Sequence, residues 1–201
     1  GLLNRIVSIV YKLYQSSKVY PEYKSIFKAF NLCNYANVSV VILGYDPYFD
    51  GSATGLSFDS AKNCNTLSPA LKVIKNSFQS YEDWEELGNF EPDLEKWAKQ
   101  GVLLLNTSLT VEANKPASHV MLWRPFISSL LRNLGERQPG LIYVLLGDQA
   151  KTFKPYIGKF NDIILCKHPA YYARTKTEMP NIFKQIDELT MRKNGFTIKW
   201  L

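Results

Sequence analysis

Histidine and cysteine are both scarce in this sequence, which contains two of the first and three of the second among 201 residues. Cys33, Cys64 and Cys166 lack the paired spacing of a metal site, and three thiols cannot all pair within one chain. We therefore expect reduced, buried thiols and an intracellular protein, cytoplasmic in a bacterium or phage and nuclear in a eukaryote or DNA virus. The sequence also has no apolar run long enough to cross a membrane, so we expect no membrane partner.

Acidic residues are fewer than basic ones, with 18 Asp and Glu against 24 Lys and Arg and a net charge of +6. This excess favours an anionic partner such as nucleic acid. A chain of 201 residues with 46% hydrophobic and 21% charged residues has the size and composition of one soluble globular domain. No repeat or linker interrupts it, so the sequence predicts a single domain over residues 1–201.

Short apolar runs alternate with helical patterns along the chain. Continuous apolar strands that are covered on both faces are typical of parallel sheets. The pattern therefore predicts an α/β fold of three layers, a four-stranded parallel sheet with helices on both faces. The predicted strands are 38–43, 102–105, 141–146 and 163–166. The predicted helices are 2–15, one that begins near Pro21, 69–78, 92–100, 122–134, 148–156 and 180–192. Long loops are expected at 44–66, 106–120 and 167–178, and an acidic irregular surface segment at 81–91.

Polar side chains follow three of the four predicted strands. Asp46 follows the first strand, Asn106 ends the second, and His168 follows the fourth. The carboxyl ends of parallel strands meet at one edge of the sheet, where ligands bind. A carboxylate, an amide and an imidazole are therefore expected in one crevice, a combination suited to holding a planar heterocycle and breaking a bond next to it.

Each of these residues also has a plainer interpretation. Asp46 is able to cap a turn, Asn106 to start one, and His168 to serve a structural role, and core packing is the plainer role for Tyr48 and Phe58. The amide of Asn106, however, offers one acceptor and paired donors, which match a ring N–H beside a carbonyl. The two aromatic rings supply flat surfaces near Asp46, on which a heterocycle is able to stack.

Six short motifs, taken together and in this order, resemble family 1 uracil-DNA glycosylase. The match runs from about Val38 to Arg174. The motifs are Gly44-Tyr45-Asp46-Pro47-Tyr48, Gly55-Leu56-Ser57-Phe58, the segment 97–107 that contains Leu103-Leu104-Leu105-Asn106-Thr107, Leu109-Thr110-Val111, Ser118-His119 and His168-Pro169.

The resemblance implies excision of uracil from DNA after the base has been flipped out of the duplex. It assigns Asp46 to positioning the attacking water and stabilising the sugar cation. His168 is expected to donate a hydrogen bond to uracil O2, and Asn106 to read N3–H and O4. Tyr48 is expected to stand where the 5-methyl group of thymine would lie, and Phe58 to stack on the base.

The resemblance also implies a DNA-facing surface. The position of the family's apolar wedge is Tyr172, beside Tyr171, and either ring is a candidate for filling the gap left by the flipped base. Arg174 lies close enough to meet a phosphate. The expected partner is uracil-containing DNA, single- or double-stranded. We expect a monomer, and no metal or organic cofactor is implied.

The sequence departs from the family at the pocket and at the phosphate clamps. Tyr45, which the resemblance assigns to uracil binding largely through its backbone, stands where the family usually has Gln, and Phe49 stands where it usually has His. The family grips phosphates with three serines. The residues aligned with these serines are Ala70, Asp148 and Ala170, which lack those hydroxyls, and Ser68 is a candidate replacement for one of them. The positions assigned to the clamps are Ser68, Ala70, Gly147, Asp148 and Ala170.

Two interpretations follow from this combination. The retained pocket favours a working glycosylase that compresses DNA weakly and prefers single strands or mispaired uracil. The lost serines favour a catalytically weak or inactive relative that binds DNA or a replication partner. A glycosylase for another modified base is a third interpretation, against which Tyr48 argues because its ring excludes a bulky 5-substituent.

Overall fold

The computed structural model describes residues 1–61, 67–78 and 94–200. Four parallel strands form the central sheet in the order β3-β2-β5-β6, and two short strands, β1 and β4, form a separate antiparallel pair. The strands are β1 (Val19–Tyr20), β2 (Val40–Gly44), β3 (Val102–Asn106), β4 (Val111–Glu112), β5 (Ile142–Leu146) and β6 (Asp162–Cys166).

Helices occupy most of the connections between these strands. They are α1 (Leu2–Ser16), α2 (Lys28–Leu32), α3 (Pro69–Ser77), α4 (Glu95–Lys99), α5 (Val120–Arg137), α6 (Asp148–Lys151), α7 (Pro169–Thr175) and α8 (Ile182–Asn194). No helix within the described residues is long and apolar enough to cross a membrane.

Every residue of β2, β3 and β5 is buried. Successive side chains of a strand point to opposite faces of the sheet, so both faces must be covered. Only β6, at the edge of the sheet, contains an exposed residue, Leu165. The predicted three-layer α/β architecture with a four-stranded parallel sheet is confirmed.

The largest error in the predicted elements concerns residues 167–178, which were expected to be a loop. Residues Pro169–Thr175 form the helix α7 instead. Pro169 occupies its first turn, where a missing N–H is harmless, and the His168 side chain caps it by accepting from the N–H of Ala170. The helix α7 ends at Lys176, which takes a left-handed backbone with φ of 55°.

Two predicted helices are shorter than expected. The one over 148–156 is divided into α6 and a 3₁₀ turn at Lys154–Tyr156. Pro155 has no N–H with which to continue an α-helix, which explains the break. The helix expected after Pro21 is likewise divided, into a 3₁₀ turn at Tyr23–Ser25 and α2.

Pairing of β1 with β4 was not predicted, because each strand contains only two residues. Cys33 and Cys166 are free and buried, as expected. Other predictions lie outside the described residues. They are the end of the loop 44–66, Cys64, the acidic segment 81–91 and the first residues of the helix 92–100.

Candidate active site

The carboxyl ends of three strands bring polar side chains to one cavity. β2 ends at Gly44, shortly before Asp46, β3 ends at Asn106, and β6 is followed by His168. Gly44 and Asn106 are directly paired in the register of β2 with β3. The cavity has a volume of about 320 Å³, and its lining includes all six residues that the sequence assigned to catalysis and base binding: Tyr45, Asp46, Tyr48, Phe58, Asn106 and His168.

Asp46 is held by a backbone group from a distant loop. Its Oδ2 accepts a hydrogen bond of 2.7 Å from the N–H of Ala117. Burial raises the pKa of the Asp46 carboxyl above its ordinary value, and the N–H groups of Ala117 and of Asp46 itself partly offset that effect. The carboxylate is therefore fixed in orientation inside a partly dehydrated cavity.

Asn106 lies against the backbone of β2 and is only 9% exposed. A Cβ atom at Gly44 would stand 2.6 Å from Asn106 Oδ1 and 3.1 Å from two carbons of the Phe58 ring. The absence of a side chain at Gly44 thus lets the amide and the ring approach the end of the strand. This role of Gly44 was not predicted from the sequence; the available signal was a glycine that ends a buried strand immediately before Tyr45 and Asp46.

Tyr48 is fixed at its hydroxyl end. Its Oη lies 2.7 Å from Ser68 Oγ and 3.3 Å from the carbonyl oxygen of Phe58. Burial raises the pKa of the Tyr48 hydroxyl to about 12, so it stays protonated. Ser68 also caps α3 by accepting from the N–H of Leu71 at 3.1 Å. The Ser68 hydroxyl, a candidate replacement for a phosphate clamp, is therefore already engaged with the pocket wall.

His168 presents a defined tautomer to the cavity. Its Nδ1 accepts a hydrogen bond of 3.1 Å from the N–H of Ala170, so the ring proton of the neutral form is on Nε2. Burial lowers the pKa of the His168 imidazole, which favours that neutral form. The Phe58 ring lies 5.4 Å from the imidazole, centroid to centroid, and Phe58 takes a left-handed backbone with φ of 65°. The site therefore offers one neutral N–H donor, one carboxylate, one amide and two aromatic surfaces.

The comparisons with known proteins agree with this geometry. A family model described as the uracil DNA glycosylase superfamily matches residues 30–189. The chain belongs to this superfamily. Proteins named uracil-DNA glycosylase from Campylobacter jejuni and Aliivibrio salmonicida are 37% and 36% identical to it; each match covers 92% of this chain and 80% and 84% of the respective relative. The crystal structure of mimivirus uracil-DNA glycosylase shares the fold, with a TM-score of 0.82 at 24% identity over 94% of this chain and 76% of that one.

A second cavity of about 280 Å³ adjoins the glycosylase pocket and shares His168 and Ala170 with it. Its remaining lining is Gly147, Asp148, Lys167, Tyr171 and Arg174, all but Lys167 being residues that the sequence assigned to the DNA interface. Asp148 is exposed and pairs with Lys151 at 3.4 Å and with Lys167 at 3.5 Å. These two lysines lower the pKa of the Asp148 carboxyl. Asp148, which the sequence assigned to the DNA interface, is thus an exposed anion paired with two lysines.

The two adjacent tyrosines of α7 differ in their surroundings. Tyr171 is 39% exposed, with Lys167 Nζ and Arg174 Cζ at 5.7 and 6.0 Å from its ring centroid. Tyr172 is half-buried against the core, and its Oη lies 3.4 Å from Cys166 Sγ. The Tyr172 ring, the expected wedge, is therefore held at its hydroxyl end, whereas the Tyr171 ring lies close to two cations.

Ala70 is placed differently from the other assigned DNA-binding residues. It is buried within α3, with 5% exposure, and belongs to the hydrophobic core. Phe49, in contrast, lines the glycosylase pocket and is 41% exposed. The assignment of Ala70 to the DNA interface stays a prediction, one that the buried position of its side chain does not favour.

Proposed function

We propose that this protein hydrolyses the N-glycosidic bond of uracil in DNA, releasing free uracil and leaving an abasic site, with Asp46 and His168 as the catalytic residues. The observation that carries this proposal is the convergence of Asp46, Asn106 and His168 from three strand ends into one cavity that Tyr48 and Phe58 also line. Membership of the superfamily and the names of the relatives support it. A binding protein without catalysis has no need for this combination of groups.

Recognition of uracil rests on three side chains. The Asn106 amide accepts from uracil N3–H and donates to O4, and cytosine presents the opposite pattern at these positions. A site built around such hydrogen bonds strongly rejects the analogue that leaves its buried groups unpaired. The Tyr48 ring, held by Ser68, blocks the space of a 5-methyl group. Phe58 stacks on the flipped base, an interaction worth about 1–3 kcal/mol.

In the reaction the bond between C1′ and uracil N1 breaks, and its electron pair stays on the base. The Nε2–H of neutral His168 donates a hydrogen bond to O2, where part of that negative charge resides. One preorganised donor of this kind is worth about 2.7–4 kcal/mol in the transition state. Asp46 stabilises the positive charge that develops on the sugar and positions a water, whose oxygen then bonds to C1′. The proton that this water loses passes to the Asp46 carboxylate and from there, by way of solvent, to the uracil anion. The net change consumes one water and yields uracil and an abasic sugar.

Tyr171 is the ring that we assign to the DNA duplex. It is the more exposed of the two tyrosines and stands between two cations, Arg174 and Lys167, of which Lys167 also pairs with Asp148. Tyr171→Ala should lower kcat/KM on duplex DNA about 5- to 150-fold, the equivalent of one lost stacking contact. Phe160→Ala is the matched control, because Phe160 is 71% exposed beside Lys159 and lies just before β6, at the opposite end of that strand from His168. A larger loss from Tyr172→Ala than from Tyr171→Ala would reverse the assignment.

The test of the function is direct. Oligonucleotides with a single uracil, single- or double-stranded, are incubated with the protein in EDTA and then treated with alkali, which cleaves abasic sites. We expect cleavage at uracil, none at thymine or cytosine in the same position, and almost none with Asp46→Asn. DNA binding without cleavage of either substrate would refute the proposal and support the non-catalytic relative instead.

A further inference from the structure

We propose that the backbone N–H of Ala117 is a positioning group for catalysis, and that the left-handed turn at this residue serves to present it to Asp46. The inference rests on the proposed function, because it assumes that Asp46 acts on the substrate. It concerns a residue outside the motifs of the cavity, 71 positions away from Asp46 in the chain.

The hydrogen bond itself is the first observation. At 2.7 Å between Ala117 N and Asp46 Oδ2, it has the length of a charge-assisted contact. It also fixes the rotation of the carboxylate about its last side-chain bond. A backbone group thus fixes the orientation of Asp46, the residue that we place next to the reacting sugar.

The backbone at Ala117 is the second observation. Its φ is 65°, in the left-handed region that residues with a Cβ rarely adopt. Turns that need this conformation usually contain Gly or Asn. An alanine kept in this conformation indicates that the surrounding contacts determine the backbone here, and strained residues of this kind cluster at functional sites.

Contacts on both sides hold the turn in place. Before it, Lys115 Nζ pairs with Glu112 at 2.7 Å, and Ser118 Oγ, directly after it, accepts from the N–H of Glu112 at 2.8 Å. After it, the N–H of Val120 donates to the carbonyl of Ala117 at 3.2 Å, at the start of α5. The segment between β4 and α5 therefore presents the N–H from a braced position.

The charges around Asp46 explain why such a donor matters. None of the described residues that line the cavity is Lys or Arg, and its other titratable groups are Tyr45, Tyr48 and His168. Burial disfavours the carboxylate, and no cation in this lining counteracts it. Backbone N–H groups therefore supply the stabilisation of the anion that a salt bridge supplies elsewhere.

The sharpest test removes the backbone N–H of Ala117. Replacing Ala117 by L-lactic acid through nonsense suppression turns the peptide bond into an ester and keeps the methyl side chain. The matched control is the same replacement at Ala113, whose N–H donates to the carbonyl of Lys18 at 2.8 Å in the same segment. Ala117→Gly is the conservative variant, since it keeps the N–H and tolerates the left-handed backbone.

Two measurements are made on each protein. The pKa of Asp46 is followed by carbon NMR of its carboxyl group, and kcat and KM are measured for uracil release across pH. In the Ala117 ester we expect a higher pKa of Asp46, an acidic limb of kcat that moves to higher pH, and a kcat that falls about 10- to 100-fold with little change in KM, since the lost hydrogen bond is to a charged group. The Ala113 ester and Ala117→Gly should leave the Asp46 titration in place.

An unchanged Asp46 pKa and kcat in the Ala117 ester would overturn the inference, as would an equal shift in the Ala113 ester. Absence of uracil release by the unmodified protein would refute the proposed function instead. In that case the NMR titration, which needs no activity, still decides whether the Ala117 N–H holds the carboxylate.

Discussion

A methyl group added at Gly44 tests how closely the base-reading amide approaches the end of β2. In Gly44→Ala the new Cβ would stand 2.6 Å from Asn106 Oδ1, where ordinary contacts begin at 3.4 Å, and 3.1 Å from the Phe58 ring. The amide oxygen must therefore move by about 0.8 Å to reach an ordinary contact, and the ring by a few tenths of an ångström. Alanine is compatible with a β-strand, so the substitution is expected to disturb the base-binding pocket and to leave the sheet intact.

The expected loss follows from the hydrogen bonds that the amide makes. Moving Asn106 by this distance removes or weakens both contacts with the uracil edge, each worth about 0.5–1.5 kcal/mol. The sum of about 1–3 kcal/mol corresponds to a kcat/KM that is about 5- to 150-fold lower. Discrimination against cytosine should fall as well, because the amide is the group that distinguishes the two bases.

A double-mutant cycle separates this mechanism from general damage. Uracil release from a single-stranded oligonucleotide is measured for the unmodified protein, Gly44→Ala, Asn106→Ala and the double variant, with thermal unfolding as the control for folding. If the methyl group acts through Asn106, the double variant equals Asn106→Ala. Independent, additive losses, or a lower Tm with unchanged kcat/KM, would refute the reasoning.

Three further substitutions test other parts of the site. Tyr48→Ala should open the pocket to thymine, and release of thymine from DNA measures it; continued rejection of thymine would show that another residue forms the wall. Asp46→Asn should abolish turnover yet raise Tm at pH 7. Burial raises the folded-state pKa of Asp46, so the ionised carboxylate opposes folding above that pKa. The difference in Tm between the variant and the unmodified protein should therefore vanish as pH falls through the pKa of Asp46. Asp148→Ser should release Lys167 and tighten DNA binding about two- to fivefold at low salt. Affinity that does not change with salt in this comparison would contradict a charge effect.

The composition of the pocket could be predicted from the sequence because parallel strands impose it. Each of Asp46, Asn106 and His168 stands at or just after the end of a buried apolar run, and a parallel sheet brings such ends to one edge. The register that pairs Gly44 with Asn106 then follows from the sheet. A short-range pattern was sufficient here because sheet topology converts it into a spatial arrangement.

The contacts that tune these residues could not be predicted in the same way. Ala117 reaches Asp46 across 71 positions through a backbone atom, and a backbone atom leaves no signature in residue type. Tyr172 is fastened to Cys166 only because α7 replaces the expected loop. The signal for that helix was present, since Pro169 suits a first helical turn, but His168 as its cap became evident only from the hydrogen bond to Ala170.

Burial shifts the two proposed catalytic groups in opposite directions. It raises the pKa of Asp46 and lowers that of His168, so each is pushed towards its neutral form. For His168 this shift has no compensation, and a neutral imidazole with its proton on Nε2 donates a hydrogen bond without transferring the proton. For Asp46 the backbone N–H groups partly restore the anion. The carboxylate is thus kept charged in a cavity that stabilises it incompletely, and a positive charge that develops on the sugar supplies the missing partner. The attraction between the Asp46 carboxylate and the sugar cation is larger in the transition state than in the bound substrate, which is the condition for lowering the barrier.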